Sequence, residues 1–165
     1  MLILKTLYGK ILSGEKMKKV VVYTDGACSC NPGPGGWGAI LIYKNVKKEL
    51  SGFSNPTTNN QMELTAVIEA LLTLKEPCEV DLYSDSAYVV NAFLESWVTN
   101  WQKNGYKNAK KKEIENIDLW KQLINLNDYH KISWHKVKGH ADNPLNNRCD
   151  ELARGEVDKF LAENG

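Results

Sequence analysis

Four acids sit where an apolar core would not place them. Asp25 follows the run Val20-Val21-Val22-Tyr23, and Asp85 ends the short strand-like stretch Glu79–Ser84. Glu63 precedes Val67, Ala70 and Leu74 by 4, 7 and 11 residues, so on a helix it shares their inward face. Asp150 stands in a similar relation to Ala153, Val157 and Leu161, at 3, 7 and 11 residues. A buried carboxylate without a partner costs several kcal/mol and must find relief. If the strands ending at Asp25 and Asp85 lie side by side in parallel, their carboxylates meet at the strands' carboxyl ends. Helix positions 63 and 150 can then face the same spot. Carboxylates crowded in this way are relieved by protonation or by a cation. Hard divalent ions with oxygen ligands suit the set best, Mg²⁺ first and Mn²⁺ as its substitute. Each acid alone also has an ordinary reading. Asp25-Gly26 and Asp85-Ser86 are turn or cap residues, and Glu63 and Asp150 fit the first turn of a helix through its dipole. Spacing alone leaves both readings open.

The elements that must position these acids follow from the pattern. Lys19–Cys28 is a short β-branched run that stops at Thr24-Asp25-Gly26, as a strand covered on both faces does. Asn31-Pro32-Gly33-Pro34-Gly35-Gly36 reads as a loop. Trp37–Lys44 and Lys47–Phe53 read as two further strands, giving a three-stranded antiparallel meander. Asn55–Asn60 is a second turn cluster, followed by a helix with the apolar stripe Ala66, Val67, Ala70, Leu71 and Leu74. Its capping box is either Thr58 with Gln61 or Asn60 with Glu63. Pro77 marks its exit. Val90, Phe93, Leu94, Trp97, Val98 and Trp101 then recur at helical spacing, as one helix. Ile114, Ile117, Trp120, Leu123 and Ile124 mark another. Lys131–Val137 resembles an edge strand with Ile132 and Trp134 on one face. Asn143-Pro144 opens a last helix that carries Cys149, Leu152, Ala153, Val157, Phe160 and Leu161. The order β-β-β-α-β-α-α-β-α predicts an α/β fold, a mixed sheet with helices packed on it.

Composition narrows the function further. The chain has 165 residues, enough for one domain, and 42% apolar, 25% charged and 9% aromatic residues exclude disordered, collagenous and disulfide-scaffold classes. Lys+Arg of 21 against Asp+Glu of 20 gives a net charge of +1, so bulk positive charge does not attract nucleic acid. A local patch does exist. Between Ser96 and Lys112 lie Lys103, Lys107, Lys110, Lys111 and Lys112 with no acid, interleaved with Trp97, Trp101 and Tyr106. No apolar run approaches the ~20 residues that span a bilayer, so no membrane partner is expected. Cys28, Cys30, Cys78 and Cys149 are too few for a disulfide framework, and Cys28-x-Cys30 lacks a second pair at zinc spacing. Reduced thiols in the cytoplasm are the reading they support. Lys5 and Lys10 interrupt the apolar stretch of Met1–Met17, so a secretory signal is not expected. Leu4, Leu7, Ile11 and Leu12 fit a short amphipathic helix, and Met17 fits an alternative start. Residues 1–17 therefore read as a peripheral extension and 18–165 as the domain proper, which the resemblance described next implies is catalytic.

The motifs resemble type 1 ribonuclease H. The resemblance rests on Thr24-Asp25-Gly26 with Asn31-Pro32-Gly33-Pro34-Gly35-Gly36, and on Thr57-Thr58-Asn59-Asn60-Gln61-Met62-Glu63. It rests further on Ser84-Asp85-Ser86, on Val137-Lys138-Gly139-His140, and on Arg148-Cys149-Asp150-Glu151-Leu152-Ala153. Each motif is weak alone, but five in family order and spacing are specific. The resemblance implies a five-stranded mixed sheet in order 3-2-1-4-5 with helices on both faces. It implies hydrolysis of the RNA strand of an RNA–DNA hybrid, leaving 5′-phosphate and 3′-hydroxyl ends. Two Mg²⁺ ions, replaceable by Mn²⁺, would be held by Asp25, Glu63, Asp85 and Asp150 in an in-line two-metal displacement. His140 would assist proton transfer or product release. The lysine patch, with Trp101, Gly105 and Lys107 matching, corresponds to a basic protrusion that grips the DNA strand. Asn31, Asn59 and Asn60 match positions that read the minor groove, where 2′-hydroxyls mark the RNA. Cys28 is counted with the substrate-binding residues, and Thr58 and Asn116 match a pocket for a DNA phosphate. Pro56 stands where the family is often basic, and Ala87 where a groove-reading glutamine is common; both bear on affinity. The separate hybrid-binding domain of some relatives is not expected in a 17-residue leader.

Three rival readings bear on the same residues. A non-catalytic hybrid-binding protein would keep the lysines and asparagines and lose an acid, yet all four acids are present. A phosphorylated receiver domain would need alternating β-α units rather than an opening meander. A domain cut from a reverse transcriptase or integrase stays within the nuclease class. A monomer is the expected state.

Overall fold

The structure is a computed structural model and describes residues 16–138 and 142–164, together with Gly9 and Gly14. The expected helix of Leu4, Leu7, Ile11 and Leu12 lies outside the described residues. Five strands pair in the order β3-β2-β1-β4-β5. They are β1 Lys18–Cys28, β2 Gly33–Tyr43, β3 Val46–Thr57, β4 Cys78–Ser84 and β5 Lys131–Lys136. The meander β1–β3 is antiparallel. β4 runs parallel to β1, with Tyr23 opposite Tyr83, and β5 runs parallel to β4. The helices are α1 Asn59–Leu72, α2 Ala87–Leu94, α3 Trp97–Asn104, α4 Ile117–Tyr129 and α5 Pro144–Asn164. No described helix is long and apolar enough to cross a membrane.

The strand period of two divides the sheet into two covered faces. A Cβ on Gly26 or Gly35 would meet Glu63 or Met62 of α1, whereas a Cβ on Gly36 or Gly38 would meet Ala153 or Cys149 of α5. α1 and α5 therefore lie on opposite faces, as the doubly buried pattern of β1 requires. Val20, Val22, Ala39 and Leu41 join Leu64, Val67, Leu71, Val80, Leu82 and Trp120 in one buried core. At roughly 25 cal/mol per Å² of apolar area removed from water, such a core is the main stabilising term.

The Asn31–Gly36 segment departs from its loop reading. Gly33–Gly36 belongs to β2, pairing with β1 through Ala27↔Gly36 and Cys28↔Gly35. These glycines make room rather than a turn. A Cβ on Gly36 would lie 2.2 Å from the Ala153 carbonyl oxygen, so only glycine lets α5 approach. β3 likewise runs on through Asn55-Pro56-Thr57. It is an edge strand and its register shifts there, so the missing proline N–H breaks no ladder bond. The single helix expected over Val90–Trp101 is two helices. Ser96 adopts a left-handed conformation, φ 65°, which ends α2 and redirects α3. Ile114 precedes its helix but is still buried. Leu161, placed on the inward stripe of the last helix, is 44% exposed, and the neighbouring Phe160 packs instead, stacked on Phe53 of β3 at 4.7 Å.

Candidate active site

Parallel pairing brings the ends of β1 and β4 side by side. Asp25 lies two residues beyond the Tyr23↔Tyr83 pair, and Asp85 follows the last residue of β4. Glu63 enters from the first turns of α1. Thr58 caps that helix: its hydroxyl accepts from the Gln61 N–H at 3.2 Å, and the Gln61 side chain accepts from the Thr58 N–H at 3.2 Å. The box is thus Thr58 with Gln61, which leaves the Glu63 carboxylate free to point inward. One oxygen each of Asp25, Glu63 and Asp85 lies within 4.8 Å of the others.

Asp25 and Glu63 are buried, at 6% and 5% exposure. The Gly26 N–H donates to Asp25 Oδ1 at 2.9 Å and also to Glu63 Oε1. One backbone donor thus fixes two carboxylates. Gly26 allows it because a Cβ there would sit 2.5 Å from the Glu63 nitrogen. Burial pushes the Asp25 carboxyl up to about 7, and the neighbouring Asp85 and Asp150 charges push the same way. Burial, then the Asp25 charge, raises Glu63 well above its ordinary range. A set of oxygen donors that resist ionising together is the environment a hard dication relieves.

Asp150 borders the same cleft, of about 340 Å³, with Asp25, Glu63 and Asp85. It stands outside the tight trio among the described residues. One of its oxygens meets Arg154 Nη2 at 2.7 Å. The Asp150 side chain is 28% exposed, so it sits on the rim rather than on the buried stripe of α5. The Cys149 thiol beside it is fully buried, and burial pushes it up to about 12. That thiol is inert. His140 lies outside the described residues. Ser86, Asn146 and Asn147 also line the cleft, beyond the residues the sequence pointed to. Asn146 had a legible signal, since it follows Asn143-Pro144 at a first-turn position; the Asn143 side chain accepts from its N–H at 3.1 Å.

The residues matched to substrate binding divide among three places. Asn59 lines the acidic cleft. Asn31, Thr58, Asn60 and Asn116 line a neighbouring cleft with Gln61 and Glu115. The two are joined at the start of α1, where the Asn59 N–H donates to Asn31 Oδ1 at 3.0 Å. Asn116 is held by Gln61 at 3.1 Å and in turn donates to the Tyr88 hydroxyl at 3.1 Å. Cys28 is half-buried, and its thiol lies against backbone carbonyls, 3.4 Å from that of Thr57. Lys103 lies in the last turn of α3, and Lys107, Lys110, Lys111 and Lys112 follow in an exposed loop. Asn108 Oδ1 accepts from the N–H groups of Lys110 at 2.9 Å and Lys112 at 3.1 Å, which shapes the loop. Trp101 is half-buried, edge-on to Trp120 at 4.9 Å, and lines a third cleft with Trp97 and Lys107. It serves the core as much as the surface.

Residues 17–158 match the family described as RNase H. A ribonuclease H of Acetivibrio thermocellus is 65% identical over 143 residues, covering 87% of this chain and 97% of the relative. One of Chlorobium luteolum is 63% identical over 142 residues, covering 86% and 97%. Among solved structures, LC9-RNase H1, a type 1 RNase H with the type 2 active-site motif, superposes with a TM-score of 0.78 at 30% identity. That match covers 87% of this chain and 74% of the other. LC11-RNase H1 in complex with an RNA/DNA hybrid superposes with a TM-score of 0.68 at 25% identity, covering 86% and 99%.

Proposed function

The chain belongs to the ribonuclease H family, and we propose that it is an endonuclease that hydrolyses the RNA strand of RNA–DNA hybrids. The observation that carries this reading is the meeting of Asp25, Glu63 and Asp85 within 4.8 Å at the adjoining ends of two parallel strands. The donor set is all oxygen, largely buried and self-repelling, and so fits Mg²⁺, with Mn²⁺ as substitute. Asp25, Glu63, Asp85 and Asp150 would hold two ions. When bound, these supply an activated water and stabilisation of the departing 3′ oxygen.

The chain's own residues hold and orient. Asp25 and Glu63 share the Gly26 N–H, so their carboxylates keep one geometry. Burial keeps bulk water from screening their charge. No side chain needs to act as a covalent nucleophile, and the products are 5′-phosphate and 3′-hydroxyl ends. His140 takes up or returns a proton during turnover. The side-chain amides of Asn31, Asn59 and Asn60 reach 2′-hydroxyls, and Cys28 belongs to the same substrate-binding set. The Thr58 hydroxyl and Asn116 amide bind a phosphate of the DNA strand. Lys103, Lys107, Lys110, Lys111 and Lys112 meet further phosphates, and Trp101 contributes to the same surface from the cleft it shares with Lys107. Residues 18–165 make up the catalytic domain, with residues 1–17 peripheral to it. The protein acts as a monomer in the cytoplasm, a setting that suits its free cysteines.

Matched RNA–DNA, RNA–RNA and DNA–DNA duplexes, each with Mg²⁺ or EDTA, test the reading. The expected result is Mg²⁺-dependent loss of RNA from the first duplex alone. Equal cleavage of all three, or hybrid binding without cleavage, overturns it.

A further inference from the structure

The fourth acid differs from the other three in what it touches. Asp25, Glu63 and Asp85 close on one another within 4.8 Å, whereas Asp150 stays on the rim with one oxygen 2.7 Å from Arg154 Nη2. The pair is Asp at i and Arg at i+4 on α5, the favourable orientation on a helix. The other nearby guanidinium of α5, Arg148, is engaged by Glu49 at 2.7 Å and Glu151 at 2.9 Å. Arg154 is thus the guanidinium of α5 that engages an acid lining the cleft. A dication approaching Asp150 meets a fixed positive charge already on that carboxylate.

We propose that Arg154 is a positioning residue that holds Asp150 back from the carboxylate trio and competes with the divalent cation for it. The inference rests on the reading of Asp150 as a metal ligand. Arg154 sets the metal concentration at which the fourth carboxylate joins the other three. The pair is partly exposed, with side-chain exposures of 63% for Arg154 and 28% for Asp150. The competition is correspondingly modest, on the scale of a surface ion pair.

Calorimetric titration of the full chain with Mn²⁺ tests this without relying on turnover. The variants are Arg154→Gln, Arg154→Lys, Asp150→Asn and the double variant Arg154→Gln/Asp150→Asn. Arg154→Gln is expected to bind Mn²⁺ about two- to fivefold tighter, the range of an exposed ion pair. Arg154→Lys should stay near the parent, since it keeps the charge. Arg154→Gln should give no gain once Asp150 is Asn. Unchanged or weaker binding in Arg154→Gln overturns the proposal. So does an equal gain in the Asp150→Asn background, which would mark a general field effect. If Asp150→Asn itself leaves Mn²⁺ binding untouched, the reading of Asp150 as a ligand fails, and this proposal fails with it.

Discussion

The acidic cleft and the basic loop are built in opposite ways. The cleft gathers Asp25, Glu63, Asp85 and Asp150 from β1, α1, the end of β4 and α5, across most of the chain. Its inner members are nearly water-free and repel one another. The loop draws its lysines from one continuous stretch, 103–112, and leaves them all exposed. A buried charge interacts through a low dielectric, so each cleft acid carries much of the function. An exposed lysine is hydrated and screened, so each contributes a small, additive share. The fold is buried where charges repel and open where they need only attract.

Breaking the cleft should therefore give the largest effect. Asp25→Asn is expected to lower kcat about 10³-fold or more, since the transition-state stabilisation at such a site is several kcal/mol. Single-turnover cleavage of a hybrid would measure it, and near-parent activity would place the chemistry elsewhere. His140→Ala should slow turnover by about 10²-fold, the scale of one general acid or base. Equal losses in the two variants would show that His140 is no auxiliary.

Breaking the loop should give a graded effect. Neutralising Lys110, Lys111 and Lys112 together is expected to weaken hybrid binding. It should also reduce the slope of log K against log salt by about 2–3, near 0.9 per phosphate contact. Binding measured by anisotropy across a salt series decides this, and an unchanged slope removes these lysines from the interface.

The smallest effect concerns stability. Burial raises Asp25 to about 7 and Glu63 above its usual range. Between about pH 4, the ordinary carboxyl value, and about pH 7, the folded metal-free protein holds more protons than the unfolded chain. The stability contributed by the protonated pair is therefore complete at the low end of that window and lost as pH rises through it. Thermal unfolding in EDTA should show the parent losing Tm relative to Glu63→Gln from pH 5 to pH 8. Added Mg²⁺ should close the gap; a gap that widens with acid would contradict the assigned cause.

The same contrast accounts for what was legible in the sequence. Asp25 and Asp85 were readable because a carboxylate closing an apolar strand must find a partner or a cation, and Glu63 because helical spacing puts it on the buried stripe. The lysine loop was readable because it is local. Gly33–Gly36 reads as a turn by composition, while the real constraint is the approach of α5 from a distant part of the chain. The break at Ser96 was hidden because Val90–Trp101 keeps its apolar period on both sides of the left-handed residue. The rim position of Asp150 depends on how α5 sits over the sheet, whereas its i,i+4 spacing to Arg154 is a local pattern the sequence carries.

Crystals grown with Mn²⁺ and examined by anomalous scattering address the central claim most directly. The account predicts peaks enclosed by the carboxylates of Asp25, Glu63 and Asp85, with Asp150 drawn toward them and away from Arg154. A cleft that binds no Mn²⁺ at concentrations supporting cleavage, or peaks confined to other surfaces, would contradict it.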